Sequence, residues 1–181
     1  MTLAPATDLV ETAADLLRNR SWAALTGAGA STDSGIPDYR GPTSIRATPM
    51  QFSEFTGSAE ARRRYWARSY QGWRRIGQAQ PNAGHRALVG LESLGLRGVI
   101  TQNVDGLHQA AGSRGVINLH GDIARVVCLD CERLSSRLVM QHRLAELNPD
   151  LPPPARLEHA ELRPDGGGFF DGGFDFGGFG E

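Results

Sequence analysis

WAALTGAGASTDSGIPDYRG, residues 22–41, decides how this chain is read. Its first five residues are short and mostly apolar and read as a buried strand, although the paired alanines make the local signal modest. A run dense in Gly, Ser and Asp follows directly. A strand that breaks into a glycine-rich loop lets backbone N–H groups approach a phosphate closely. Gly27 and Gly29 occupy the first two glycine positions of the dinucleotide fingerprint, and Thr32 stands where its third small residue belongs. On this pattern alone, phosphate binding and an ordinary strand-to-helix turn both stay open.

Working outward, Thr7 is placed to cap a helix, with Asp8 and Glu11 in its first turn and Leu9, Ala13, Leu16 and Leu17 as an apolar stripe. Residues 50–78 read as a helical segment rich in aromatics and Arg. A further helix spans residues 83–94, with Ala87, Leu88, Leu91 and Leu94 inward and Gly95 as its stop. Residues 98–101 read as a second strand. The order helix, strand, loop, helices, strand suits a parallel α/β sheet. Beyond Asp130 the spacing predicts a helix over residues 134–147, then the breaker run of residues 152–154. From residue 165 the chain is almost wholly Gly, Phe and Asp. Glycine is costly to order, so a tail without regular structure is expected, a self-associating one being the alternative.

A chain of 181 residues fits one domain with room for a small insert. With 19 basic residues, all of them Arg, against 20 acidic ones, general nucleic-acid binding is not expected. The all-Arg usage reads as a compositional bias. No apolar run is long enough for a signal peptide or a membrane span, so the expectation is a cytoplasmic protein with no membrane partner.

Three further stretches carry chemistry. TQNVDGLHQAAG, residues 101–112, follows the second strand, where open α/β sheets bind ligands. Gln102, Asn103 and Asp105 can hydrogen-bond a ribose or a carboxamide, or simply cap a turn. His120 precedes Gly121. Histidine suits proton transfer because imidazole titrates near neutral pH, although a lone His is more often structural. Cys128 and Cys131 form a CxxC turn, which presents two thiolates to one metal, whereas structural zinc wants four ligands. A redox pair, or zinc completed by His142 or His159, are the other readings.

Taken together these stretches resemble the sirtuin family of NAD-dependent protein deacylases. The family's cofactor loop has the form GAG-x-S-x-x-SGIP-D-[FY]-RG, matched by residues 27–31 and 34–41. Its second signature, TQN-[IV]-D-x-LH-x-x-AG, is matched by residues 101–112, and a catalytic HG follows shortly before a CxxC. The resemblance implies a Rossmann-like parallel α/β sheet over residues 1–125, incomplete here, and a remnant of a small zinc-binding module over residues 126–164. Residues 165–181 are left as the tail.

It also implies an NAD site built from Gly27, Ala28, Gly29, Ala30, Ser31, Pro37, Asp38, Tyr39, Arg40, Gln102, Asn103, Val104, Asp105 and His120. Tyr39 and Arg40 would lie beside the reacting ribose and phosphates, and Asp105 on the carboxamide. His120 and Asn103 are the implied catalytic residues, His120 as general base. Cys128 and Cys131 are the implied zinc ligands, half a site. His85 and His108 match no catalytic position and are expected to be structural.

The implied reaction removes an acyl group from a protein lysine and passes it to ADP-ribose, releasing nicotinamide. YWAR (residues 65–68), GWRR (residues 72–75) and HGDIARVVCLDC (residues 120–131) are closest to the bacterial and mitochondrial class II members. There, Tyr65 and Arg68 imply a pocket for acidic acyl groups. A solvated i,i+3 pair is the alternative. The resemblance runs from residue 9 to about 150, and the family's second CxxC and later nucleotide-binding motifs are not met. A truncated chain with an open sheet edge is therefore expected. Mono-ADP-ribosylation with the same cofactor, and an inactive fragment, are the rival functions.

Overall fold

Strands β1 (Trp22–Thr26), β2 (Leu96–Thr101) and β3 (Val116–Asn118) pair in parallel, in the order β1-β2-β3. This computed structural model describes residues 6–39 and 49–150. Arg40, the breaker run, His159 and the tail lie outside the described residues.

Thr26, Thr101 and Asn118 share one row at the carboxyl edge of the sheet. The register slips by one residue between Trp22 and Ala23, leaving Arg97 as the extra residue of β2. A bulge of this kind resets which face each side chain takes, and Leu96, Val99 and Thr101 are all buried. One row fares differently. Leu25, Ile100 and Ile117 are paired neighbours, yet Leu25 is 69% and Ile117 60% exposed, so that face of the sheet is open.

Helix α1 (Ala6–Leu17) begins one residue before the expected Thr7 cap. Its predicted stripe does not face a core: Leu9 and Leu16 are exposed. Residues 50–78 divide into α2 (Phe52–Gly57) and α3 (Ala59–Ile76). The break is Ser58, whose hydroxyl caps α3 by accepting from Ala61 N–H at 3.1 Å. Helix α4 (Ala83–Leu91) runs into a 3-10 turn, Glu92–Leu94, ended by Gly95 at φ 103° as expected. Only glycine fits there comfortably, since a Cβ would also collide with the Arg20 carbonyl. The early end of α4 turns Leu94 outward, and Ala87 is also exposed, against expectation.

Helix α5 (Leu107–Ala111) joins β2 to β3. After β3 the chain forms an antiparallel hairpin, β4 (Arg125–Val127) with β5 (Leu134–Ser136), and then α6 (Arg137–Leu147). The helix predicted from residue 134 thus starts three residues later, where the Ser136 hydroxyl caps it. Helix α6 is fastened to α3. The Arg137 guanidinium donates to Ser69 O and Oγ, both at 3.1 Å, and lies over the Trp66 and Trp73 rings at 5.6 and 5.0 Å. Gln141 adds a bond to Tyr70 O at 2.9 Å. Burial lowers the Arg137 pKa, partly countered by Tyr65. The indole faces stabilise such a cation by roughly 0.5–2 kcal/mol each.

Candidate functional site

Three loops leave the carboxyl edge of the sheet side by side, one from each strand. The first follows β1. Gly27 is extended, Ala28–Ser34 form a 3-10 turn, and Gly35 closes it at φ 82°. The second is the turn of residues 102–106 after β2. The third, Leu119 to Gly121, follows β3. Backbone bonds link each loop to the strand beside it: Gln102 N–H donates to Thr26 O at 3.1 Å and Leu119 N–H to Thr101 O at 2.9 Å.

Side chains tie the first two loops together. Ser31, 1% exposed, donates to Asp105 Oδ2 at 2.7 Å. The Asn103 amide donates to Gly27 O at 2.9 Å and to Ser31 Oγ at 3.1 Å. Asp105 Oδ1 accepts from Leu107 N–H at 2.9 Å and so starts α5. Beneath them Ile36, Ile76 and Leu107 form a buried apolar cluster, with Ala79 and Ile123 packed on it. Ile123 N–H also donates to Val104 O at 2.9 Å, which fixes the chain just past the third loop against the second.

The structure therefore gathers most of the expected cofactor residues. Gly27, Ala28, Gly29, Ala30 and Ser31 form the first loop, with Pro37 and Asp38 half-buried at its end and Tyr39 half exposed. Asn103, Val104 and Asp105 are half-buried, Gln102 is exposed, and His120 is exposed at the end of the third loop. A Cβ built on Gly27 or Gly29 meets nothing within 4 Å, so the loop has open space before both glycines. Open space, exposed backbone and polar groups at strand ends fit a dinucleotide's phosphates and ribose. A separate polar cleft of about 580 Å³ flanks the loop, lined by Asp33, Ser34, Gln78, Pro81, Asn82 and Arg86.

None of the hydrogen bonds and apolar contacts just described involves Tyr65 or Arg68. They lie on α3, 11 and 8 residues before Ile76, which is about 16 and 12 Å along a helix axis. Tyr65 packs edge-on against Phe55 and Trp66, with centroids 5.0 and 5.3 Å away. The buried cation on this helix's surface is Arg137, which sequence reasoning missed.

Cys128 and Cys131 stand in the turn of the β4–β5 hairpin, both free and exposed. The Cys131 N–H, then the Asp130 N–H and the Cys131 side chain, hold the Cys128 thiol below its usual range. The chemistry of this pair fits half a tetrahedral zinc site. Among the described residues no group of three or more His, Cys, Asp or Glu side chains is arranged to hold a metal.

Four other residues at the site were not read as such in the sequence. His108 Nε2 lies 2.9 Å from Thr26 Oγ1. The His108 ring meets that of His85 with centroids 4.7 Å apart, and both are 1% exposed. His85 Nδ1 accepts from Asn82 N–H, while Asn82 Oδ1 accepts from His85 N–H, each at 3.2 Å. Burial pushes both histidine pKa values down; Arg86 adds to this for His85 and His85 for His108, with the Asp105 carboxylate opposing in each case. The visible signal was Asn82 three residues before His85, a capping box with His in place of the usual Glu or Gln.

Residues 27–159 match the model of the Sir2 family. The chain is 54% identical over 167 residues to NAD-dependent protein deacetylase 1 of Streptomyces coelicolor, covering 91% of this chain and 54% of that protein. It is 49% identical over 158 residues to NAD-dependent protein deacylase SIR4 of Monosiga brevicollis, covering 86% of this chain and 51% of that one. A solved structure described as Sir2 with p53 peptide and NAD+ superposes with TM-score 0.63 at 36% identity, over 78% of this chain and 56% of that chain. The chain thus spans about half the length of the curated relatives it matches. The family match, the high identities and the shared fold agree: this chain belongs to the Sir2 family.

Proposed function

We propose that the described residues form the nicotinamide-ribose side of the NAD site of a protein-lysine deacylase. One observation carries this reading: the Ser31–Asp105–Asn103 network at the strand ends, with open space before Gly27 and Gly29 and His120 on the neighbouring loop. Bound NAD would supply an activated ribose carbon for the acyl oxygen to bond to, with nicotinamide as the leaving group. The chain's own residues then have separable roles. Asn103 orients the ribose, Ser31 holds Asn103 and Asp105 in place, Asp105 accepts from the carboxamide, and the glycines of the first loop admit the phosphates. His120, exposed toward solvent, takes a proton from the ribose hydroxyl that receives the acyl group. The products are a free lysine, O-acyl-ADP-ribose and nicotinamide, with one water consumed.

The substrate in this reading is an acylated lysine of a protein, and the names of the relatives and the peptide complex support that class. A zinc ion on Cys128 and Cys131 belongs to the same proposal as a partial site. So does a cytoplasmic setting, which two free thiols suit.

Mass spectrometry of acyl-lysine peptide incubated with the protein and NAD tests it. O-acyl-ADP-ribose and free lysine are expected, and both vanish in His120→Ala while the NAD-induced rise in melting temperature persists. ADP-ribose attached to a protein side chain would favour the transferase reading. A wild-type melt indifferent to NAD would remove the site altogether.

A further inference from the structure

His85 and His108 are buried as pair members, yet neither has a place in the chemistry above. Their contacts run in one connected series. Thr26, the last residue of β1, meets His108 through its hydroxyl at 2.9 Å. The His108 ring packs on the His85 ring. His85 and Asn82 hold each other by two bonds at 3.2 Å. The Asn82 amide then donates to Ala30 O at 2.8 Å. The series therefore leaves the first loop at Thr26 and returns to it at Ala30. Between those points lie Gly27, Ala28 and Gly29, the stretch with open space before it.

We propose that His85, His108 and Asn82 are positioning residues, a brace that clamps residues 27–30 at both ends and so holds the cofactor loop in its binding shape. Several features favour this over inert packing. Glycines allow many backbone shapes, so a loop that uses them needs outside fixation to keep one. The brace supplies it from α4 and α5, elements that would not touch NAD in the reading above. His85 Nδ1 must be unprotonated to accept from Asn82 N–H, so its proton sits on Nε2. Among the described residues, that nitrogen and His108 Nδ1 are buried without a hydrogen-bond partner. Apolar side chains would avoid such a cost, and its presence in a buried site marks a role beyond filling space.

The charged groups facing the pair are Asp105 from the loop after β2 and Arg86 from α4. Protonation of His85 removes the acceptor for Asn82 N–H.

This inference rests on the NAD-site reading for its consequence but not for its test. Backbone amide exchange of residues 30, 35 and 36, without NAD, reads the loop directly. Asn82→Asp keeps a good helix cap, so α4 should fold, but it removes the donor to Ala30 O and sets an anion against that carbonyl. The amides should exchange about tenfold faster, the worth of one buried hydrogen bond, with the melting temperature little changed. His85→Leu should do the same, whereas His85→Asn, which keeps an acceptor near Nδ1, should restore protection. NAD affinity, read by isothermal titration, should weaken by a similar factor and recover in the same variant. Wild-type exchange in Asn82→Asp overturns the brace, as does failure of His85→Asn to outperform His85→Leu. Loosened amides with unchanged NAD affinity also overturn the positioning role. A wild-type protein that binds no NAD removes the cofactor reading, while the exchange data still decide the brace.

Discussion

Replacing Asp105 by Ala strikes the point where the first two loops are joined. Its carboxylate accepts from the Ser31 hydroxyl at 2.7 Å and from Leu107 N–H at 2.9 Å. Hydrogen bonds to a charged acceptor are worth roughly 1.5–3 kcal/mol each. Asp105 is only half-buried, so solvent recovers part of that, and the lower end applies. Ser31 is nearly inaccessible. After the change it still accepts from Asn103, but its own proton has no acceptor, which adds to the cost. The sum is about 2–4 kcal/mol. For a domain of this size that is a fall in Tm of about 5–15 °C. Asp105→Asn should cost less, about 1–2 kcal/mol, because its carbonyl can still serve Leu107 N–H and its amide can donate to Ser31 Oγ. Urea titration of the three proteins by circular dichroism measures the order. A loss under about 1 kcal/mol in Asp105→Ala, or equal losses in the two variants, would refute the claim that the carboxylate joins the loops.

Acid should destabilise the protein through the histidine pair. Both rings have folded pKa values below the unfolded value near 6.5, so the unfolded chain binds more protons and stability falls as pH drops below about 6.5, with no change well above it. Urea midpoints at about pH 7.5 and about pH 5.5 should differ in wild type and differ less in His85→Asn. Purified protein should hold less than one equivalent of zinc by metal analysis, since two thiolates leave half a tetrahedral site open; a full equivalent lost in Cys128→Ser would show that other residues complete it. In a fusion of this chain with the remaining length of a longer relative, a dicarboxylic acyl-lysine should be preferred over acetyl-lysine by about ten- to a hundred-fold in kcat/KM, one charge-assisted bond from Arg68. Equal rates on both, unchanged by Arg68→Met, would leave that pocket without support.

How far the sequence could be read follows from the physics of each element. β1 and the loop after it were legible because glycine clustering after an apolar run has few other causes. Gly95 was legible as a stop because helix ends favour a residue free to adopt positive φ. β3, β4 and β5 were not read: each is three residues long, too short for alternation to register. The stripe on α1 was present in the sequence but marks a face that the described residues leave exposed, and periodicity cannot say whether a partner is at hand. His85 and His108 were read as structural, and both are buried. Their service to the loop was hidden, because each acts through residues distant in sequence, His108 on Thr26 across 82 positions.

The same distance argument explains why the motifs named the site's residues but not how they come together. Its three signatures lie on separate strands, and only the register brings them level. Thr26, Thr101 and Asn118 end in one row because Arg97 is bulged out of the β1–β2 pairing. Without that extra residue, every β2 side chain past it would change faces, and Thr101 would no longer be buried beside Thr26. Asn103 N–H donates to the Thr101 hydroxyl at 3.0 Å, so the turn carrying Asn103 and Asp105 would lose its anchor. Close backbones preserve the register on the other side: a Cβ on Gly98 would lie 2.7 Å from Gly115 O, too near for any side chain. The chemistry of residues 27–31, 102–105 and 120 is thus set by a bulge and a pair of glycines at the opposite end of the strands. A substitution at Gly98 should therefore impair the site without touching any residue in it.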